Sequence, residues 1–314
     1  MKKMLAVIGP TASGKSGLAV ELCKKYGGEV VSCDSMQVYK KMNIGTAKPT
    51  EKEMQGVPHH LIDFLEPGSE YSVSDYVADA ERCVIDVQSR GMLPVFCGGT
   101  GLYIDSYLSG IEFSDFENNP EIRKRLENEF ENEGIEKIFE RLKAADPKIS
   151  ETIDIHNTKR IIRALEVYET TGVTMTEWNR RSLVNANKKD CLVIGLDFES
   201  RELLYERIDK RVDIMLEMGL LEETEELLKA GLLSSKTASQ AIAYKEFLPY
   251  FNGENSLDSC VELLKRSSRR YAKRQLTWFR RNKEIKWIFR DNMSADGVVE
   301  CACAFVEKYL SEEC

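Results

Sequence analysis

The chain has 314 residues, 42% of them hydrophobic and 31% charged, and carries a formal net charge of −8. A chain of this length buries roughly 75% of its unfolded surface, enough for one large domain or a core with a smaller companion. No apolar run approaches the ~20 residues of a membrane span, and Met1-Lys2-Lys3 leads straight into an apolar run without a signal-peptide pattern.

A cytoplasmic protein is therefore expected. The nine cysteines are scattered, none forms C-x-x-C, and there are only three histidines. Free thiols are expected, with neither a disulfide framework nor a zinc site.

The first element is the apolar run Met4-Leu5-Ala6-Val7-Ile8, which reads as a short buried strand. It feeds into Gly9-Pro10-Thr11-Ala12-Ser13-Gly14-Lys15-Ser16, and a helical pattern follows from Leu18 to Tyr26. Strand, glycine-rich loop and helix in this order make a phosphate-binding loop. The glycines let the backbone close around an anion, and the helix start directs unpaired N–H groups at it. Lys15 supplies a cation, and the Ser16 hydroxyl is suited to hold magnesium. The motif does not say which phosphorylated molecule it holds.

Further strands are expected at Val30–Asp34, His60–Phe64 and Pro94–Gly98, with a helix at Val73–Arg90 opened by Ser72. Alternation of this kind implies parallel βαβ units, whose ligands gather at the carboxyl ends of the strands. Asp34 and Gly98-Gly99-Thr100-Gly101 stand at such ends, as Gly9 does. Asp34 could act as a general base, a magnesium partner or a turn cap. Gln37 carries paired donor and acceptor groups of the kind that read an adenine edge. Thr100 could bond a phosphate oxygen or cap a helix.

From about Ser114 to Lys189 there is no convincing strand. The stretch opens on the acidic Asp115-Phe116-Glu117 and has helical periods at Pro120–Glu133, Ile135–Ala144 and Lys159–Thr170. Cys191–Asp197 reads as another core strand. The expected organisation is thus an α/β fold: a P-loop NTPase-like parallel sheet flanked by helices, with an inserted helical domain. Residues 1–113 form the first part of the core, 114–189 the insertion, and 190–314 the completion of the core.

Helices are expected at Leu203–Met218, Glu222–Leu228, Gln240–Tyr250 and Leu257–Arg281, then a strand at Lys286–Phe289 and a helix at Gly297–Leu310. Arg207 and Arg211 share one helical face, which suits either ion pairing or neutralisation of a diphosphate. Nine of the 44 basic residues lie between Lys265 and Lys283, with no acidic residue among them; elsewhere 35 basic face 52 acidic groups, a balance of −17. At 100° per residue Tyr271, Ala272, Leu276, Trp278 and Phe279 share one arc, opposite Arg269, Arg270, Lys273, Arg280 and Arg281. Core packing on one side and phosphate-backbone contact on the other explain that division.

Several of these stretches together closely resemble the tRNA dimethylallyltransferases. They are the phosphate loop, Asp34-Ser35-Met36-Gln37-Val38-Tyr39, Asn43-Ile44-Gly45-Thr46-Ala47-Lys48-Pro49, Pro58-His59-His60-Leu61, Gly98-Gly99-Thr100-Gly101-Leu102-Tyr103 and Arg274-Gln275-Leu276-Thr277-Trp278-Phe279-Arg280. The resemblance covers essentially the whole chain. One departure is Ala243 before Tyr244, where the family usually has glycine.

The resemblance implies transfer of a dimethylallyl group from dimethylallyl diphosphate to the exocyclic amine of the tRNA adenosine just 3′ of the anticodon, position 37. The loop from Gly9 to Ser16 would hold the diphosphate. Lys15, magnesium at Ser16, Thr100 and Arg211 would stabilise the leaving group, and Asp34 would take the amine proton. Ser35, Met36 and Gln37 would receive the flipped base. Arg123, Lys159, Arg160 and Arg163 of the insertion, with Arg269, Arg270, Lys273, Arg274 and Arg280, would hold the anticodon arm. A monomer is the default. The rivals are an adenylate isopentenyltransferase acting on free AMP, a P-loop kinase or ATPase, and a non-catalytic RNA-binding module.

Overall fold

The computed structural model describes residues 3–110, 119–184 and 187–312. The acidic stretch at 115–117 lies outside the described residues. The chain divides into two compact units, residues 1–108 with 189–314, and residues 109–188. The sequence alone puts these divisions at 113/114 and 189/190.

The first unit begins with β1 (Met4–Ile8), α1 (Lys15–Tyr26), β2 (Gly28–Ser32), a single-turn α2 (Glu51–Met54) and β3 (His59–His60). Next come α3 (Val73–Ser89), β4 (Leu93–Gly98) and α4 (Gly101–Leu108). The second unit holds α5 (Pro120–Glu133), α6 (Ile135–Ala145), α7 (Pro147–Ser150), α8 (Thr158–Thr171) and α9 (Met175–Val184). The first unit then resumes with β5 (Cys191–Asp197), α10 (Arg201–Glu217), α11 (Leu220–Lys229), α12 (Leu248–Phe251), α13 (Leu257–Phe279), β6 (Lys286–Phe289) and α14 (Ala295–Ser311). Among the described residues no helix is long and apolar enough to cross a membrane.

The six strands form one sheet in the order β3-β2-β4-β1-β5-β6, every pairing parallel. All five residues of β1 are buried, as a strand covered on both faces requires. Its alternation sorts the two cores. Met4, Ala6 and Ile8 pack with Phe96, Tyr103, Tyr107 and Tyr244 on one side, whereas Leu5 and Val7 pack with α1 and with Val298, Ala302 and Val306 of α14 on the other. The central strand β1 is followed in sequence by β2, two places away, while β5 flanks it on its other side. The carboxyl ends of β2, β4 and β1 lie side by side in the sheet, the place where ligands of such folds gather.

The second unit has its own small core, Leu126, Ile138, Leu142, Ile161, Ile162, Ala164 and Leu165. Two expectations are corrected. The strand at His60–Phe64 is only His59–His60, because Leu61 and Asp63 turn left-handed at φ 59° and 55°. The helix at Gln240–Tyr250 is instead two 3-10 turns, Ala238–Gln240 and Lys245–Phe247, followed by α12. The cause is Ala243, whose φ of 101° no helix tolerates. The eight described cysteines are free.

Candidate active site

The loop after β1 bends through Ala12 at φ 63° and Gly14 at φ 85°. Gly14 caps α1 with no side chain bonded to the first amides, so those N–H groups stay available to an anion. Its lack of a side chain is required, since a Cβ there would stand 2.0 Å from Arg290 Nη1. Ser13 N donates to the Pro10 carbonyl at 3.3 Å, and Lys15 Nζ donates to the same oxygen at 3.3 Å. Ser16 is exposed on the first turn of the helix.

Three arginines join Lys15 around this loop. Arg211 Nη1 donates to Thr11 Oγ1 at 3.4 Å, Arg207 Nε to the Ala12 carbonyl at 3.1 Å, and Arg290 Nη1 to the Ser13 carbonyl. Burial pulls the Lys15 ammonium below its ordinary value and Arg211 adds to this, against the Asp34 carboxylate. Burial also works against the charge of Arg211, and burial with Arg207 against that of Arg290. Arginine does not give up its proton in proteins, so a bound anion would offset this crowding of charge. Arg290 Nε is buried without a hydrogen-bond partner among the described residues. Four cations crowd one loop, a setting suited to a polyanion.

Asp34 follows β2, and its Oδ1 accepts the N–H groups of Met36 at 2.9 Å and Gln37 at 3.2 Å. The turn-cap role is therefore real. It occupies one carboxylate oxygen and leaves Oδ2 without a hydrogen bond among the described residues. Thr100 ties the turn after β4 to the same place. Its Oγ1 accepts from Ser35 N at 3.1 Å and donates to Ser35 Oγ at 3.3 Å, while Thr100 N donates to the Cys33 carbonyl at 3.1 Å. Met36 is half-buried against the core. Cys97 at the end of β4 is pushed up to about 11 by burial, so it stays a neutral thiol.

Gln37 needs a correction. Its amide donates to the carbonyls of Thr46 at 3.2 Å and Ala47 at 3.1 Å. The donor half of the expected base-reading pair is engaged by the protein itself, which leaves only the acceptor Oε1.

Sequence reasoning also missed Gln275. Its Oε1 accepts Thr11 N at 2.9 Å, and its Nε2 donates to the Gly99 carbonyl at 2.9 Å. One buried amide thus joins the phosphate loop to the Thr100 turn. The available signal was a polar residue on the apolar arc of its helix. Arg290, one residue beyond β6, carried no signal in the local pattern.

The basic stretch on α13 is less free than its lack of acidic residues suggested. Arg269 Nη1 donates to Asp209 at 2.6 Å, Lys265 pairs with Asp213 at 2.7 Å, and Arg280 pairs with Asp197 at 3.0 Å. The counter-charges come from α10 and β5. Arg266, Arg270, Lys273, Arg274 and Arg281 remain exposed, with Arg274 and Arg281 lying over the Tyr271 and Trp278 rings at 5.6 and 5.0 Å.

In the second unit Lys159 and Arg160 are exposed. Arg123 and Arg163 instead converge on the fully buried Glu166, at 3.5 and 3.2 Å. The paired histidines are structural: His59 Nδ1 bonds the Val57 carbonyl at 2.8 Å and His60 Nε2 bonds Glu29 at 2.6 Å. No cluster of three His, Cys, Asp or Glu side chains suited to a metal occurs among the described residues.

The IPP transferase family model matches residues 37–282, and the isopentenyl transferase model matches residues 2–68. The chain is 47% identical over 291 residues to the tRNA dimethylallyltransferase of Caldanaerobacter subterraneus subsp. tengcongensis, covering 92% of each. The tRNA isopentenylpyrophosphate transferase of Bacillus halodurans superimposes with a TM-score of 0.74 at 38% identity, covering 99% of this chain and 97% of that one. A eukaryotic dimethylallyltransferase acting on tRNA superimposes with a TM-score of 0.86 at 29% identity, covering 99% and 80%. On this sequence match and this shared fold, the chain belongs to the IPP transferase family.

Proposed function

We propose that this protein transfers a dimethylallyl group from dimethylallyl diphosphate to the exocyclic amine of a tRNA adenosine, the one just 3′ of the anticodon, and releases diphosphate. The observation that carries the reading is the loop with its four cations, Lys15, Arg207, Arg211 and Arg290, opening beside Asp34 and Thr100. The amine nitrogen attacks the allylic carbon, the carbon–oxygen bond breaks, and both its electrons leave with the diphosphate. Negative charge grows on the leaving oxygen as this happens. Lys15, Arg211 and the amides at the start of α1 stabilise it most where water is excluded. The free Asp34 oxygen takes the proton that the alkylated amine loses.

A diphosphate bound with magnesium asks only one or two oxygen ligands of the protein. The exposed Ser16 hydroxyl fits that role, and the ion would supply further charge neutralisation on the diphosphate. An adenosine stacked in an anticodon arm has to leave the stack to reach the amine acceptor site. The exposed cations of α13, with Lys159 and Arg160, then hold the RNA backbone. A free nucleotide needs no such row, which disfavours AMP as acceptor. The protein is read as a cytoplasmic monomer.

Product analysis tests the reaction class. Diphosphate is expected in the medium only when dimethylallyl diphosphate and tRNA are both present. Magnesium-dependent phosphate release from ATP alone would instead favour a kinase or ATPase.

A further inference from the structure

Glu223, in the first turn of α11, is part of no group considered so far. Its carboxylate is wrapped by three consecutive backbone N–H groups. Asn43 and Ile44 donate to Oε2 at 3.0 and 2.8 Å, and Gly45 donates to Oε1 at 2.9 Å. The Tyr244 hydroxyl adds a fourth bond to Oε1 at 2.9 Å. Successive amides around one anion form a nest of the kind that binds phosphate, here filled by the protein's own carboxylate. Charge-assisted bonds of this sort are about twice as strong as neutral ones.

The nest is built to exclude alternatives. The Tyr244 ring is buried under Gly45, where a Cβ would stand 2.7 Å from the ring. Within the loop, Ala47 N donates to the Ile44 carbonyl at 2.9 Å and Thr46 Oγ1 to the Met42 carbonyl at 2.6 Å. The Thr46 and Ala47 carbonyls then receive the Gln37 amide, the two bonds that fix which end of that amide stays free. Gln37 N in turn donates to Asp34 Oδ1 at 3.2 Å. A line of hydrogen bonds runs from α11 to the carboxylate assigned the proton.

We infer that Glu223, supported by Tyr244, is a positioning residue of the transfer reaction: it locks residues 43–47 so that Gln37 offers the base an acceptor and no donor. An acceptor suits an exocyclic amine, which donates, and opposes the carbonyl oxygen that guanine carries at the corresponding position. This rests on the proposed transfer to adenosine. It adds a specificity device that neither Gln37 nor Asp34 holds alone.

Glu223→Gln tests it, because the new amide turns N–H groups towards backbone donors and removes the charge. With saturating tRNA, kcat is expected to fall about a hundredfold, the order that misplacement by about 1 Å costs. The KM for dimethylallyl diphosphate should stay within a factor of about 2. Tyr244→Phe removes one bond of four and keeps the charge, so a loss of roughly fivefold is expected. A tRNA carrying guanosine next to the anticodon should inhibit Glu223→Gln more strongly than wild type.

Unchanged kcat in Glu223→Gln, or a kcat loss matched by an equal rise in that KM, overturns the assignment. Amide hydrogen exchange at residues 43–45 gives an answer independent of activity. Protection in wild type that is lost in Glu223→Gln supports the clamp, and equal protection in both refutes it. If wild type transfers nothing to tRNA, the functional reading fails while the exchange data still decide the clamp.

Discussion

Removing the Gln275 amide should damage stability and catalysis together. Gln275 is 5% exposed and serves two backbone groups, Thr11 N–H and the Gly99 carbonyl, each at 2.9 Å. In Gln275→Ala both lose their partner, and a buried polar group left unsatisfied costs about 1–3 kcal/mol. A water entering the vacated space recovers part of that. A loss of about 2–4 kcal/mol in unfolding free energy is therefore expected, read from urea midpoints at constant slope.

Gln275→Glu sharpens the test. One carboxylate oxygen can still accept from Thr11, but the other faces the Gly99 carbonyl, acceptor against acceptor. A protonated carboxyl removes the conflict by donating, so its folded pKa is raised above the unfolded value. The sign follows: the variant stays near wild type below about pH 4 and loses stability as pH rises above it. A deficit under about 1 kcal/mol for Gln275→Ala, or one independent of pH for Gln275→Glu, would refute the reasoning.

Burial holds the Lys15 ammonium below its ordinary value, so kcat/KM for dimethylallyl diphosphate should fall on the alkaline side before an ordinary lysine titrates. Lys15→Arg stays charged, and an unmoved alkaline limb in its pH–rate profile would contradict this assignment. Arg270→Ala should lower the slope of log affinity for tRNA against log salt by about 1. Arg269→Ala, which breaks the pair with Asp209, should leave that slope alone and cost about 1 kcal/mol of stability or less; equal slope changes count against the division of α13. Ala243→Gly relieves a residue at φ 101°, worth about 1–3 kcal/mol, against about 0.4–1 kcal/mol of added chain freedom and about 0.8 kcal/mol for the methyl. Chemical denaturation should show stability unchanged or slightly raised, and a loss above about 1 kcal/mol contradicts the strain.

The sheet was legible because β1, β4 and β5 are largely apolar runs closed by glycine or aspartate, and β2 keeps a Val30-Val31 centre. The Gly9–Ser16 turn and the helix after it were legible because their signal is local, eight residues in a row. The two-sidedness of α13 showed in its periodicity. What stayed hidden depends on partners distant in sequence. Arg290 bonds a residue 277 positions away and Gln275 one 264 away, and neither contact leaves a local pattern. Asp209 and Asp213 lie in α10, so the basic stretch read alone looked unpaired. Gln37 was recognised as unusual, but the loop carbonyls that take its amide could not be inferred from spacing. Ala243 was noticed only as a departure from the family, and its backbone explains why a helix fails there.

The most direct test offers unmodified tRNA and AMP together, at equal concentration, with labelled dimethylallyl diphosphate. The label is then located by nuclease digestion. The account predicts label in tRNA alone, on the adenosine 3′ of the anticodon, and none when Asp34→Ala replaces wild type. Label in the AMP fraction, or undiminished labelling of tRNA by Asp34→Ala, would contradict it.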